Sequence, residues 1–516
     1  MPVETSLGAL RQPGFWPQPG PVEVIETHIS RVFLVGDRAY KLKKPVDFGF
    51  VDFTTLEKRR HSCEEELRLN RRLAPDLYLA IRTLTGAPDR PDFEGEGEPI
   101  DYAVEMKRFD QGDLMANVER AGKLTCEHME QLARIVAGFH EQCGIAGPEA
   151  SFGNPQEVAR PVDENFRILL ADNPSTGQKE RLRFLRAWSQ DEWSALFRFF
   201  NARKSGGRIR ECHGDMHLSN MILKEERITL FDCLEFSPEL RWIDVLSEVA
   251  FCTMDLASRR RDSLAHYFLN AYLEITGDYP GLAVLPYYLS YRAMVRAKVS
   301  WLRLQEAPEE GEEQLRENLA KCLSLAETYA FRRQPQLIVM HGVSGTGKSY
   351  GGSEIMKNLG AIRIRSDVER KRIAADIHES DLYSPEMTRL TYNSLHKAAE
   401  SGLQAGFPVV LDAAYLHKRE RARARQLAER LKVPFRLLHL SATEETMEKR
   451  IRQRQKQETD PSDADWDVLQ KQLASREPLT KGERERALDV DTDRPGCWEE
   501  TITLLQFPPH HTRRIP

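Results

Sequence analysis

The eight residues Gly342-Val343-Ser344-Gly345-Thr346-Gly347-Lys348-Ser349 constrain this chain more than any other segment, because they fit G-x-x-x-x-G-K-[ST]. They follow the apolar run Leu337-Ile338-Val339-Met340 and precede a helix-favouring stretch from about Tyr350. Placed between a strand and a helix, the glycines let backbone N–H groups converge on phosphate oxygens with no Cβ in the way. All eight residues are candidate nucleotide contacts. Lys348 can reach the β- and γ-phosphates and assist transfer, and the Ser349 hydroxyl can ligate Mg²⁺. The helix that follows points its positive N-terminus at the anion. A plain glycine-rich turn is the bland alternative.

The surrounding sequence supports the loop. Strand-like runs at Leu337–Met340, Ala361–Ile364, Pro408–Leu411, Phe435–Leu440 and Ala487–Val490 alternate with helix-favouring stretches such as Pro385–Ala405 and Lys418–Leu431. This pattern predicts a parallel sheet covered by helices, an α/β fold. Ligands bind such sheets at the strand ends. Asp412, at the end of one run, is a candidate metal-shell acid. Asp367, after another, can accept a proton from an attacking hydroxyl or cap a helix starting at Val368. Arg450 and Arg454 lie four residues apart on one predicted helix face. They read either as lid arginines acting on a transferring phosphoryl group or as a solvated face. The run Lys418–Arg425 reads as helix surface.

Together, the loop at 342–349, Ser366-Asp367 with Arg370, Leu411-Asp412-Ala413, the arginines near 450–454 and Ser462-Asp463-Ala464-Asp465 resemble the P-loop kinase group that includes polynucleotide-kinase-like, gluconate-kinase-like and zeta-toxin-like domains. The resemblance covers most of 337–500 and implies ATP-dependent transfer to a hydroxyl, with Asp367 as base.

A second constellation lies upstream. His213-Gly214-Asp215-Met216-His217-Leu218-Ser219-Asn220 stands in a loop, and Asp232 follows the apolar run Ile228-Thr229-Leu230-Phe231 twelve residues after Asn220. Asp215 can orient and deprotonate a hydroxyl, while Asn220 and Asp232 offer the oxygen ligands Mg²⁺ prefers. His213 and His217 have zinc-helix spacing, but Gly214 between them argues against a helix. Upstream again, Val32–Val35 and Ala39–Leu42 flank the hairpin signal Gly36-Asp37. A helix is predicted over Thr55–Leu73, a strand over Asp101–Met106, and mostly helix thereafter, as in Glu127–Cys143. Lys41 lies on a predicted strand, where a kinase lysine meets the α/β-phosphates. The backbone of Glu105 and Met106 has the character of an adenine-binding hinge.

The motif His213–Asn220 with Asp232 and Lys41 resembles the aminoglycoside phosphotransferase/choline kinase superfamily over about 25–330. That resemblance implies a bilobal, α+β protein-kinase-like fold, ATP and Mg²⁺ as cofactors, and hydroxylated small molecules as acceptors. Among Glu64, Glu65 and Glu66 it selects Glu66 as the partner of Lys41. The chain departs from the kinase pattern in two places, carrying Thr27-His28-Ile29-Ser30 where a G-x-G-x-x-G loop would lie and Cys233-Leu234 rather than Phe-Gly after Asp232.

The tandem order is similar to a bacterial family of bifunctional phosphotransferase/ATP-binding proteins. The expected division is an N-terminal extension over 1–24, a kinase-like domain over 25–333 and a P-loop kinase domain over 337–516, with an acidic loop at Glu306–Glu313 before the boundary. The expected function is a two-site, ATP- and Mg²⁺-dependent phosphotransferase. The rival is a single P-loop kinase or ATPase, with nucleic-acid 5′-hydroxyls as a less favoured acceptor, regulated by a catalytically silent ligand-binding half. Lys+Arg of 74 against Asp+Glu of 79 gives a net charge of −5, which excludes a basic nucleic-acid coat over the whole chain. No apolar run reaches the ~18 residues of a membrane span, and no signal peptide is evident. Eight scattered cysteines without a C-x-x-C pair read as reduced thiols of a cytoplasmic protein.

Overall fold

Alternation along the strand Arg38–Lys43 orders the first part of the molecule: Tyr40 and Leu42 face an aromatic core, while Lys41 and Lys43 face the other side. The fold is that of a computed structural model, which describes residues 7–506 apart from 48, 50, 172–173, 307–308, 332–333, 378–380 and 458–465. It divides into two compact units, Met1–Arg167 with Phe197–Asp255, and Ile168–Leu196 with Leu256–Pro516.

In the first unit β1 (Val22–Glu26), β2 (Ser30–Val35), β3 (Arg38–Lys43), β4 (Tyr78–Ala87), β5 (Arg90–Phe93) and β6 (Asp101–Lys107) form one antiparallel sheet, ordered β1-β2-β3-β6-β4-β5. The expected hairpin pairs Val35 with Arg38 across Gly36-Asp37, and Gly36 takes φ +54° there. One face of the sheet packs Trp16, Phe33, Tyr40, Leu42, Leu84 and Ala103, with Trp16 stacked on Tyr40 at 4.4 Å. The other face receives α1 (Leu56–Asn70), whose Thr55 cap accepts from the Lys58 amide. Arg59, Ser62, Cys63, Glu66, Leu69 and Asn70 form the buried side of α1, a 3–4 spacing that turns Glu66 inward.

Next come α2 (Cys126–Gln142) and the short strands β7 (Ile209–Glu211), β8 (Met221–Lys224), β9 (Arg227–Leu230) and β10 (Trp242–Asp244), paired β7 with β10 and β8 with β9. The helix α3 (Val245–Ser258) comes after them.

The second unit contains the helices α4 (Asp262–Thr276), α5 (Leu285–Glu306) and α6 (Glu309–Phe331). The acidic loop expected over 306–313 is instead mostly the start of α6, since helix resumes at Glu309 and acids suit a helix N-terminus. The helix residues at 168–196 pack here too: Arg181 pairs with Glu327 at 2.6 Å, and Phe184 stacks on Phe331 at 4.7 Å. The compact division therefore falls upstream of 333, because α4–α6 associate with the C-terminal parallel sheet and its helices.

The strands β11 (Leu337–His341), β12 (Ile362–Arg365), β13 (Val409–Asp412), β14 (Phe435–Ser441) and β15 (Leu488–Asp491) form that all-parallel sheet, ordered β12-β13-β11-β14-β15. Each lies within about one residue of the run expected from sequence. The connecting helices are α7 (Lys348–Leu359), α8 (Ser366–Ile377), α9 (Pro385–Gln404), α10 (Lys418–Leu431), α11 (Glu444–Gln457), α12 (Trp466–Ser475) and α13 (Cys497–Gln506). The core joins Ile338, Met340, Ile355, Val410, Leu438, Trp498 and Leu505. Trp498 lies so close to α7 that a Cβ on Gly351 would stand 1.8 Å from its ring.

Candidate active sites

The first site gathers residues far apart in sequence. The face of β3 that carries Lys41 and Lys43 meets Glu66 of α1: Lys41 Nζ lies 2.8 Å from one carboxylate oxygen and Lys43 Nζ 2.5 Å from the other. Lys41 also reaches Asp232 Oδ1 at 2.6 Å, and the fully buried Lys43 pairs with Glu235. Two lysines thus balance two of three acids, leaving one negative charge over for a cation. Burial alone pushes the Glu66 carboxyl up, but Lys41 and Lys43 outweigh it and bring the group down to about 2. Burial penalises the Lys41 ammonium as well, yet Asp232, Glu66 and Glu235 hold its pKa well above the ordinary lysine value.

Asp232 sits at φ +63°, a conformation costly for a non-glycine residue, and its amide donates to the Tyr78 hydroxyl at 3.2 Å. Its carboxylate is partly exposed beside Lys41. Facing it along the loop, Asn220 Nδ2 donates to Asp215 Oδ2 at 2.9 Å and to the Asp215 carbonyl at 3.0 Å. His217 Nε2 is 3.4 Å from Asp215 Oδ2. His213 Nδ1 accepts from the Asp215 amide and Nε2 bonds the Phe231 carbonyl at 2.9 Å, so the ring braces the loop.

Glu248 and Asp255, which the sequence motifs do not mark, hold the same loop. Glu248 accepts from the amides of His213 (3.1 Å) and Gly214 (2.6 Å) and from His140 Nε2 (2.9 Å). Two turns along α3, Asp255 accepts the Leu218 amide at 3.1 Å. Both acids are fully buried, and their seven-residue spacing on an otherwise apolar helix is the signal that could have found them.

One expectation needs correction here. Glu105 and Met106 lie inside β6, paired on both sides by β3 and β4, so their backbone is ladder rather than open hinge. The Glu105 carboxylate is taken by Arg82 at 2.7 Å and Arg38 at 3.3 Å. The Thr27–Ser30 turn closes on itself: the Thr27 amide donates to the Ser30 carbonyl, and the Ser30 amide to Thr27 Oγ1, both at 2.9 Å.

The second site is local. Gly345 and Gly347 both take φ +83°, which lets the loop wrap over the start of α7. Lys348 Nζ donates back to the Val343 carbonyl at 2.8 Å, and the Ser344 amide donates to Gln472 Oε1 of α12 at 2.7 Å. Asp412 ends β13, buried, with Oδ2 lacking a hydrogen-bond partner among the described residues. Burial pushes its carboxyl up, while Arg363, Arg365 and Lys348 pull the other way. An unsatisfied buried carboxylate oxygen beside a phosphate-type loop fits a divalent cation.

Asp367 is the second residue of α8, so it lies in the first turn instead of capping the helix. Arg450 donates to the Gly345 carbonyl (3.2 Å), Thr492 Oγ1 (2.9 Å) and the Thr492 carbonyl (2.9 Å), tying the loop to the end of β15. The side chain of Arg454 and residues 462–465 lie outside the described residues. Within the run read as helix surface, Arg421 is buried, paired with Glu483 at 2.8 Å and donating to the Leu416 carbonyl at 2.9 Å.

A model of the phosphotransferase enzyme family matches residues 27–285, half of the 516-residue chain. The chain belongs to that family. An AAA-domain model matches residues 337–479 of the same phosphotransferase. Uncharacterized proteins of Mycobacterium tuberculosis (strain H37Rv) and Mycobacterium bovis are 30% identical to it over 438 residues, covering 83% of this chain and 86% of theirs. Among solved structures, a choline/ethanolamine kinase family protein from Mesorhizobium loti is similar at 12% identity, over 62% of this chain and 92% of that one, with a TM-score of 0.39. A gluconokinase from Sinorhizobium meliloti 1021 is similar at 22% identity, over 35% of this chain and 100% of that one, with a TM-score of 0.26. The phosphotransferase thus joins a kinase-like domain to a P-loop kinase domain. Among its described residues no helix is long and apolar enough to cross a membrane, and all eight cysteines are free.

Proposed function

We propose that the enzyme carries two phosphoryl-transfer sites, each moving the γ-phosphoryl group of ATP to the hydroxyl of a small molecule. The observation that carries this reading is the convergence of Lys41, Glu66 and Asp232 within 2.8 Å contacts on one face of β3, in a chain that also holds a full P-loop around Asp412. In the first site Lys41, oriented by Glu66, holds the α/β-phosphates, and Asp215 takes the acceptor's proton. In the second, the amides of residues 342–349 and Lys348 hold the phosphates, and Asp367 takes the proton. In each, the acceptor oxygen forms a bond to phosphorus, the bridging β–γ bond breaks and ADP leaves.

Asn220 and Asp232 in one site, and Ser349 and Asp412 in the other, would hold Mg²⁺, which neutralises charge on the transferring phosphates. The amide of Asn220 is given to Asp215, so its side-chain carbonyl remains for a cation. Arg450 ties the P-loop to Thr492 and would reach a phosphoryl group only after leaving it; Arg454 is proposed as the second lid arginine. Small acceptors are favoured over nucleic acid because the chain's net charge is −5. The functional division we propose keeps 25–333 and 337–516 as the two domains.

One observation favours a second reading. The self-closed Thr27–Ser30 turn leaves the first site without the flexible glycine loop that usually covers phosphates, which suits a silent, ligand-binding half. Transfer from γ-labelled ATP into a desalted metabolite extract separates the two readings. Asp215→Ala and Lys348→Ala are each expected to remove a different labelled product. If only Lys348→Ala has an effect, the two-site reading is wrong and the silent-half reading stands.

A further inference from the structure

One edge of the P-loop sheet is β12, and it is covered by α4, a helix inside the segment matched to the phosphotransferase family. Three residues of α4 spaced four apart make one polar stripe along that edge. His266 Nδ1 bonds the Lys357 carbonyl at the end of α7 at 2.9 Å. Asn270, fully buried, accepts the Arg363 amide through Oδ1 at 2.7 Å and donates from Nδ2 to the Ala361 carbonyl at 3.1 Å. A side-chain amide here does what a neighbouring strand would do, satisfying an edge that is otherwise unpaired.

One turn further along α4, Glu274 Oε1 lies 3.1 Å from Arg363 Nη2 and Oε2 lies 3.7 Å from Arg365 Nη1. Its carbonyl accepts Arg372 Nη2 at 2.6 Å.

These arginines belong to the second site. Arg363 Nη1 donates to the Ser349 carbonyl at 3.2 Å. A Cβ on Gly352 would stand 3.1 Å from Arg363 Cδ and 3.5 Å from Asp412 Oδ2, so the guanidinium stem and the unsatisfied carboxylate flank the same glycine. Arg365 pairs across the sheet with Asp412 itself. Left unpaired, two arginines beside Asp412 could swing to neutralise it and compete with a cation for its oxygen. A carboxylate behind them holds them back, in the manner of an outer-shell partner.

We propose that Glu274 is a positioning residue of the P-loop site. It fixes Arg363 against the Ser349 carbonyl and keeps Arg363 and Arg365 off Asp412, so the site is complete only with α4 docked. The inference rests on reading Ser349 and Asp412 as the metal side of that site. It makes a helix of the segment matched to the phosphotransferase family a part of the P-loop site, which gives the tandem arrangement a physical reason.

The test uses the full chain with Glu274→Gln and Glu274→Asp. In Glu274→Gln the Mg²⁺ concentration giving half-maximal Lys348-dependent transfer is expected to rise ~10-fold, the usual size for an outer-shell loss. The Asp215-dependent product should change less than about twofold and Glu274→Asp should recover part of the loss, as a positioning role requires. Without nucleotide, hydrogen exchange of Glu274→Gln should quicken over residues 349–352 and 361–365. Wild-type Mg²⁺ dependence in Glu274→Gln, or an equal fall in both products, would overturn the inference. If the wild type shows no Lys348-dependent transfer, the proposed function of this half fails, and exchange decides alone: faster exchange upholds the positioning role and unchanged exchange refutes it.

Discussion

The first site ties its charges to one another across almost two hundred residues, whereas the P-loop gathers backbone amides within eight and leaves one buried carboxylate oxygen without a hydrogen bond. The two constructions distribute stability differently. Where buried charges satisfy one another, removing one strands its partners, and the fold suffers along with the chemistry. Where the cradle is backbone, a side chain such as Lys348, hydrogen-bonded to the Val343 carbonyl of its own loop, can change function while the fold stands.

The largest expected effect comes from this contrast. Lys43→Met leaves Glu66 and Glu235 buried without their shared lysine, and should cost about 3–5 kcal/mol of stability, confined to the first unit. Lys348→Met, the matching change in the P-loop, should leave the second unit's urea midpoint nearly unmoved. Equal midpoints for Lys43→Met and wild type would remove the contrast between the sites.

Next in size is steric. Gly351→Ala forces a Cβ to within 1.8 Å of the Trp498 ring, and overpacking of this kind costs roughly 1–3 kcal/mol. Gly347→Ala has room, its nearest neighbour being Arg450 at 3.5 Å, but φ +83° penalises any side chain by about 1–2 kcal/mol. The first should lower the melting midpoint of the second unit more than the second does, although only Gly347 lies in the phosphate loop.

Acid should separate the units further. Burial, helped by His439 and Arg421, lowers His341 to about 4, and burial with Arg423 lowers His396 to about 4. A histidine whose folded pKa is depressed takes up its proton in the unfolded chain first, so stability falls as pH drops from about 6.5 to about 4 and then levels off. Glu66, depressed from an ordinary 4.5 to about 2, contributes stability that persists above pH 4.5 and is lost only as pH falls from there towards 2. Calorimetry between pH 6 and 4.5 should therefore show the second unit's transition moving down while the first unit's stays put, since His213, pushed up to about 9, adds no further stability below its ordinary pKa of 6.5. A common shift would mean that groups other than these histidines titrate.

The same contrast decides how much was legible in the sequence. The P-loop, Asp412 and all five parallel strands could be read because each depends on neighbours in sequence. Glu66 is selected over Glu64 and Glu65 by the resemblance alone, because the inward stripe of α1 also carries polar Arg59 and Asn70 and gives no clean apolar periodicity. Glu248 and Asp255 are legible only as two acids seven residues apart on an apolar helix; their role as loop holders is not, because their partners lie more than thirty residues upstream. Arg421 looked like surface because its run is basic, yet Glu483, sixty-two residues on, makes its burial tolerable. Chain order places the helices α4–α6 in the first domain, whereas packing joins them to the second, through contacts that include the β12 edge.

The smallest expected effect is a control on the comparison. Each unit has a helix capped in the same way: Thr55 Oγ1 accepts the Lys58 amide at 3.2 Å in the first, and Ser384 Oγ accepts the Met387 amide at 3.1 Å in the second. Each cap satisfies one otherwise unpaired amide, so Thr55→Ala and Ser384→Ala should each cost about 1 kcal/mol. The caps are chemically alike and stand outside both charge networks, so their costs should agree and should each appear in one unit only. If Thr55→Ala instead costs as much as Lys43→Met, α1 is itself the weak element, and the loss assigned to stranded charges would belong to the helix that presents Glu66.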